Sequence, residues 1–367
     1  MKNSAVFVSW IPVAISAAFF VAVFLLFSGC YTLKQGAAML GYLGKAVPLE
    51  ELSGQNAAED ERRFAERVAD IRRFAMEDLG LKESKNYTRY VAIDRNYLAA
   101  VVSACADDSF TRHEWRFPVV GTVPYKGFFD PEDARKEAAK LRGEGLDVWV
   151  RGVDAFSTLG WFRDPLYSYM KDYPVHVLAD LIIHELLHAT VFVKGQVQFN
   201  EQLAEFVGST GARLYIESRF GPDSPEYREI GAGGADRAAF RAAVSALTSE
   251  LEALYAGTLS REEKLSEKAR IIKAAQERFA AEYDDHFSGD GYRNFAELPV
   301  NNAYLDLYRL YYEKDNFLSE LYRQNCEASA AGLRRFIGAA KTLKSAGRRE
   351  DAGALRERLE KALRPDR

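Results

Sequence analysis

Histidine and cysteine are scarce in this chain: five and three among 367 residues. Cys30, Cys105 and Cys326 stand far apart, so no cysteine pair has the spacing of a metal-binding knuckle. There is no Lys/Arg-rich block. Lysine and arginine number 49 against 53 acidic residues, a net charge of −4, which leaves no electrostatic footprint for nucleic acid. No internal repeat is visible. What the chain does have is 48% hydrophobic content with 19 tyrosines and 23 phenylalanines, enough for one large domain or two modest ones.

The N-terminus differs from the rest. From Ala5 to Phe27 no residue is charged, and a single Lys2 precedes the run. A short basic start, an apolar stretch and the small pair Ser28-Gly29 before Cys30 have the form of a bacterial lipoprotein export signal, with Cys30 lipidated. Phe27 stands where leucine is usual, and the run is long enough to span a bilayer uncleaved, so a helical anchor is the alternative. A buried soluble helix is a third reading. Either anchor places the following residues outside the cytoplasm, in the bacterial cell envelope facing periplasm or exterior. That compartment permits a disulfide between Cys105 and Cys326; two free thiols are the preferred expectation.

The rest divides by pattern into residues 30–175, an N-terminal α/β part with a short sheet, and residues 176–367, a helical part, after an export or anchor segment at 1–29. Residues 57–79 carry Phe64, Val68, Ile71 and Phe74 on one helical stripe that Gly80 should end. Strands are expected at 86–93, within 115–129 and at 146–153. A helix is expected from Pro131 to Leu141, capped by Asp130. Beyond Pro174 helices dominate, including a hairpin over 235–286 whose turn has Ser260 and Glu263 at capping-box spacing. Further helices are expected at 301–325, 327–345 and 348–363. The fold class is α+β, mainly helical.

The chemistry concentrates in "IIHELLHATVFVKGQVQFNEQLAEF". At 100° per residue His184 and His188 project from one helix face, about 6 Å apart, and can share one metal ion. Glu185 sits on the neighbouring edge, where it can hold and deprotonate a water. Zinc suits imidazole nitrogen and lowers the pKa of its water. A third ligand is needed. If the first helix ends near Lys194-Gly195 and a second begins near Phe199, an antiparallel pair brings Glu201 level with the histidines. Glu205, one turn further, is placed to accept the other ring N–H of a ligand histidine. Gly208 and Ala212 continue that stripe and allow close helix approach, while Phe199, Leu203, Phe206 and Val207 can face the core. The alternative is a polar cluster buried without metal, which would leave His184, Glu185 and His188 unpartnered at a cost.

"HELLH" followed by "NEQLAE" resembles the thermolysin-like zinc metallopeptidases whose third ligand is a glutamate. The resemblance implies one zinc per chain held by His184, His188 and Glu201, Glu185 as general base and Glu205 as the supporting acid. With the small mixed sheet read from the pattern ahead of the metal helix, the expected fold is zincin-like. The interval between His188 and Glu201 is shorter than in thermolysin, so topology does not follow. "RFPVVGTVPYKGFF", "LDVWVRGVDAFSTLGWFRDPL" and "NNAYLDLYRLYY", in this order, resemble a closer group: the bacterial putative aminopeptidase family, largely lipoproteins. That resemblance implies a peptide or protein substrate. An endopeptidase or oligopeptidase remains the second reading, because no carboxylates are identified to grip a free amino group. A non-catalytic envelope factor with structural zinc is the third. Tyr304, Tyr308, Tyr311 and Tyr312 are candidate oxyanion donors, Tyr311 preferred. Ser157, Thr158, Leu159, Gly160 and Trp161 are the candidate edge for pairing with a substrate backbone. Asn301 and Asn302 are read as helix caps, and His176 and His286 as structural or surface residues.

Overall fold

The computed structural model describes residues 31, 34–54, 57–117, 121–153, 164–194, 196–312, 316–345 and 352–364. Cys30, the apolar run before it and Ser157–Trp161 lie outside the described residues. No helix of the described residues is long and apolar enough to cross a membrane.

Helix α1 (34–44) leads to strand β1 (Val47–Pro48) and helix α2 (Glu59–Glu77). The stripe expected on α2 is the one it buries: Phe64, Val68, Ile71 and Phe74 are each at most 2% exposed. Gly80 follows with φ +68, a conformation that glycine adopts without strain. Strand β2 is shorter than expected (Arg89–Val91), because Tyr87 just before it turns to φ 59 and buries its ring. Strands β3 (Ala99–Ala106), β4 (Trp115–Phe117), β5 (Gly121–Val123) and β6 (Lys126–Phe128) follow. Helix α3 (Pro131–Gly143) starts as expected, with the Asp130 carboxylate accepting from Glu132 N–H. Strand β7 (Leu146–Val153) has the expected bounds, and β8 (Leu166–Tyr167) completes the strands.

The sheets are small. β3 is central to an antiparallel sheet of order β6-β3-β7, paired with β7 along its full length from Ala99↔Val153 to Ala106↔Leu146. β1-β2-β8 is mixed, with β2 and β8 parallel, and β4-β5 is a separate pair. The sequence reading missed β3. Its residues "AAVVSACA" are almost all buried, so it lacks the polar–apolar alternation that marks a half-exposed strand.

Helices α4 (Val175–Thr190) and α5 (Val197–Phe220) come next. The first ends four residues earlier than the Lys194 boundary and the second begins two residues before Phe199. Extended backbone at Val191 stops α4, rather than a glycine cap. The hairpin is longer at its start than expected: α6 (Pro225–Ala256) begins where the Ser224 hydroxyl caps Tyr227 N–H. Helix α7 (Arg261–Ala281) has the Ser260/Glu263 capping box. Helices α8 (Tyr283–His286), α9 (Asn302–Tyr312), α10 (Phe317–Asn325), α11 (Ala330–Lys341) and α12 (Ala352–Leu363) complete the described chain. The fold is mainly helical with small sheets.

Among the described residues three buried clusters form. The largest joins α2, α4, α5, α11 and α12, and a second lies between α6, α7 and α9. The third lies between α3 and one face of the β3 sheet. Polar contacts lock α9 to that sheet's other face. Asp147 on β7 accepts from Lys268 and from Asn302 N–H. The Asn302 amide donates to the Ala106 and Ser109 carbonyls, and Arg112 grips Asp306 with two hydrogen bonds. Asn301 caps α9 by accepting from Tyr304 N–H, while Asn302 does more than cap. Cys105 and Cys326 are free thiols; burial pushes Cys105 up to about 12.

Lys268 is 7% exposed, and its ammonium also donates to the Asp107 carbonyl. Lys268→Met therefore leaves half-buried Asp147 without its cation and should cost about 3 kcal/mol in urea unfolding. A loss under about 0.5 kcal/mol, the range of an ordinary surface change, would show that this pair does not lock the helices to the sheet.

Candidate metal centre

Helix α4 is apolar on most of its surface. Leu178, Ala179, Ile182, Ile183, Leu186 and Leu187 are at most 1% exposed, which fixes its rotation in the core. That leaves His184 and His188 one face, toward α5. The return is short: six residues, 191–196, separate the helices. Asn200, 2% exposed, clamps this link; its amide donates to the Val193 carbonyl and its oxygen accepts from Val193 N–H, both at 2.9 Å. Glu201 is thereby held at the start of the second turn of α5. Further along, α5 approaches α4 closely. A Cβ on Gly208 would stand 2.3 Å from the Asp180 carboxylate and 3.1 Å from both the Asp180 carbonyl and His184 Cβ. At Gly211 it would meet Ile183 at 3.1 Å. Ala212 is buried beyond it, and Phe199, Leu203 and Val207 turn into the core.

The outcome is a convergence of three donors. The Nε2 atoms of His184 and His188 are 3.2 Å apart. One Glu201 oxygen is 3.6 Å from His184 Nε2 and the other is 3.5 Å from His188 Nε2. One ligand atom from each residue lies within 4.8 Å of the others. Two imidazole nitrogens and a carboxylate oxygen drawn together, with Glu201 exposed, fit a zinc-type donor set.

The electrostatics follow from this crowding. Close contact with the His184 and His188 rings holds Glu201 down at about 2, against the opposing effect of burial. For His184, burial pulls the pKa down, but Glu201, Glu185 and Asp180 together raise it above the ordinary imidazole value. Glu185 is 8% exposed, and burial lifts its carboxyl, partly offset by the two histidines. The Tyr87 ring is among its electrostatic neighbours.

Glu205 is exposed one turn beyond Glu201. The buried Nδ1 of His188 has no hydrogen-bond partner, so the Glu205 brace expected for one of the ligand histidines is not made at that atom. Asp180, Tyr87 and the clamping role of Asn200 were not singled out in the sequence. Asp180 precedes His184 by one helical turn and carried a legible signal; Tyr87 and the Asn200 clamp depend on chain folding back and carried none. Tyr311 lies on α9, and its side chain is outside the described residues. Tyr304 and Tyr308 are on the same helix with hydroxyls 3.2 Å apart. His176 stands 3.8 Å from Glu229, and His286 is exposed on α8.

Residues 30–355 match the family described as putative aminopeptidase. The chain belongs to that family. No curated protein and no solved structure matches it.

Gly208→Val tests whether close approach of α4 and α5 is required. The added side chain should separate the helices and cost about 1–3 kcal/mol of stability in thermal unfolding. An unchanged midpoint would show that the two helices have slack at this position.

Proposed function

We propose that this member of the aminopeptidase family is a membrane-tethered zinc peptidase that removes N-terminal residues from peptides in the bacterial envelope. The observation carrying this reading is the meeting of His184, His188 and Glu201 with buried Glu185 on the next edge of the same helix. The tether is Cys30 or the apolar run before it, and the fold is read as zincin-like.

His184, His188 and Glu201 would hold one zinc ion, whose Lewis acidity polarises a carbonyl and acidifies water. Glu185 takes the proton of the attacking water and returns it to the leaving amine. Its burial supports that role, since a lifted carboxyl pKa brings base and acid forms closer together in energy. Tyr311 is proposed to donate to the developing oxyanion, and Ser157–Trp161 to pair with the substrate backbone. A purely structural zinc would have no need of a base at Glu185.

The test is metal content and hydrolysis of residues 31–367, using N-terminal aminoacyl reporters beside internally quenched peptides. One zinc per chain and reporter cleavage are expected. Glu185→Gln should keep the zinc and lower turnover by about 100-fold or more, and Tyr311→Phe should lower turnover far more than zinc content. Cleavage of internal bonds alone would make the chain an endopeptidase. Folded protein that has never met a chelator and carries no metal would refute the reading.

Acid should weaken zinc binding, because the metal must displace the proton that the raised pKa holds on His184. Without metal the signs differ. The lowered Glu201 contributes stability above the ordinary glutamate value of 4.5, lost as pH falls toward about 2. The raised His184 contributes below 6.5, and this is lost as pH rises through its folded value. Metal-free protein should thus gain most from the cluster between pH 4.5 and 6.5. Zinc affinity should climb above that window in titrations with a competing chelator; affinity independent of pH from 5 to 8 would contradict the ligand assignment.

A further inference from the structure

Strand β7 and helix α9 run side by side and meet at matched intervals. Asp147 accepts from Asn302 N–H, and two residues on Trp149 packs edge-on against Tyr304 with ring centroids 4.7 Å apart. Two residues further, Arg151 points from the same strand face toward the next turn of α9, where Tyr308 is its electrostatic neighbour. The Tyr304 and Tyr308 hydroxyls are 3.2 Å apart, and Phe240 of α6 closes the other side of Tyr308 at 5.4 Å. β7 ends at Val153, which packs on the core that holds α4 and α5. Arg151 therefore stands where the aromatic cluster of α6, α7 and α9 meets the body carrying the metal centre.

The charges nearby are already committed. Asp147 is held by Lys268, and Asp306 by Arg112 and Arg309. Glu252 is held by Arg309. Among the described residues no carboxylate faces Arg151, and its buried Nε has no hydrogen-bond partner. A guanidinium keeps its charge at any ordinary pH, so half-burying one without an anion costs free energy. Its planar fork matches a carboxylate.

We propose that Arg151, beside the Tyr304–Tyr308 hydroxyl pair, is a carboxylate-recognition subsite that selects peptides bearing an acidic side chain or a free C-terminus. This rests on the peptidase reading for its substrate class.

The experiment uses tetrapeptides of alanine and glutamine, with glutamate replacing glutamine at each position in turn and with free or amidated C-termini. Binding to zinc-loaded Glu185→Gln protein is measured by calorimetry, and cleavage by the unsubstituted protein is measured in parallel. At least one carboxylate peptide should bind about tenfold or more tightly than its amide counterpart. The glutamate series and the C-terminal pair identify which carboxylate is read. In Arg151→Gln that ratio should collapse to about 1, and in Arg151→Lys it should fall without vanishing, since the charge stays and the fork is lost. Arg151→Lys also decides the matter if Arg151→Gln does not fold. No preference in the parent protein, or a preference unchanged in the variants, overturns the subsite. Acid preference in binding without any cleavage would leave the subsite standing and overturn the peptidase reading. Cleavage without acid preference would do the reverse.

Discussion

Glu201 can meet both histidines only because α4 and α5 lie closer together than ordinary side chains would allow. Gly208 and Gly211 remove the Cβ atoms that would otherwise strike Asp180, His184 and Ile183. The apolar surface of α4 supplies the force for that approach. Each fully buried leucine or isoleucine contributes about 1.5–3 kcal/mol, and four of them surround the two histidines. Asn200 then fixes the start of α5 by holding both backbone groups of Val193. Packing, close approach and clamp all serve one end: the 3.5 and 3.6 Å separations between carboxylate and imidazoles.

Those separations set the character of the site. A carboxylate held at about 2 beside an imidazole raised above its ordinary value is an arrangement with strong mutual attraction and little freedom to relax. Fixed, converging donors of this kind lower the reorganisation needed to hold a cation. Glu185 shares the helix and not the convergence. Its burial keeps its charge expensive, which is the property a proton acceptor and donor needs. The two glutamates have opposite pKa shifts because one faces two imidazoles directly and the other is chiefly desolvated.

A second frame depends on polar contacts. Arg112 and Asp306 are 194 positions apart in the chain and join through two hydrogen bonds. Asp147, Lys268 and Asn302 tie β7, α7 and α9 together in the same region. This lock sets the register between β7 and α9, and so brings Arg151 into electrostatic reach of Tyr308. Among the described residues Arg151 stands out, because its Nε has no hydrogen-bond partner while its charged neighbours on the same two elements are paired.

Much of the local architecture was legible in the sequence because it rests on local geometry. The His184, Glu185, His188 spacing follows from helical periodicity, and the Asp130 and Ser260/Glu263 caps from side chains reaching adjacent N–H groups. Strand β7 was read at its true bounds, and Gly208 as a place of close approach. Strand β3 was not legible: a wholly buried strand has no exposed face to alternate with. The ends of α4 and α5 were displaced because the link between them is closed by Asn200 and extended backbone at Val191, and no glycine cap was needed. Which residues can bear the chemistry is a matter of type and spacing along one chain segment. Which of them meet, how deeply Glu185 is buried and how the charges pair are decided by packing between segments tens to hundreds of residues apart, where burial and charge pairing depend on the whole fold.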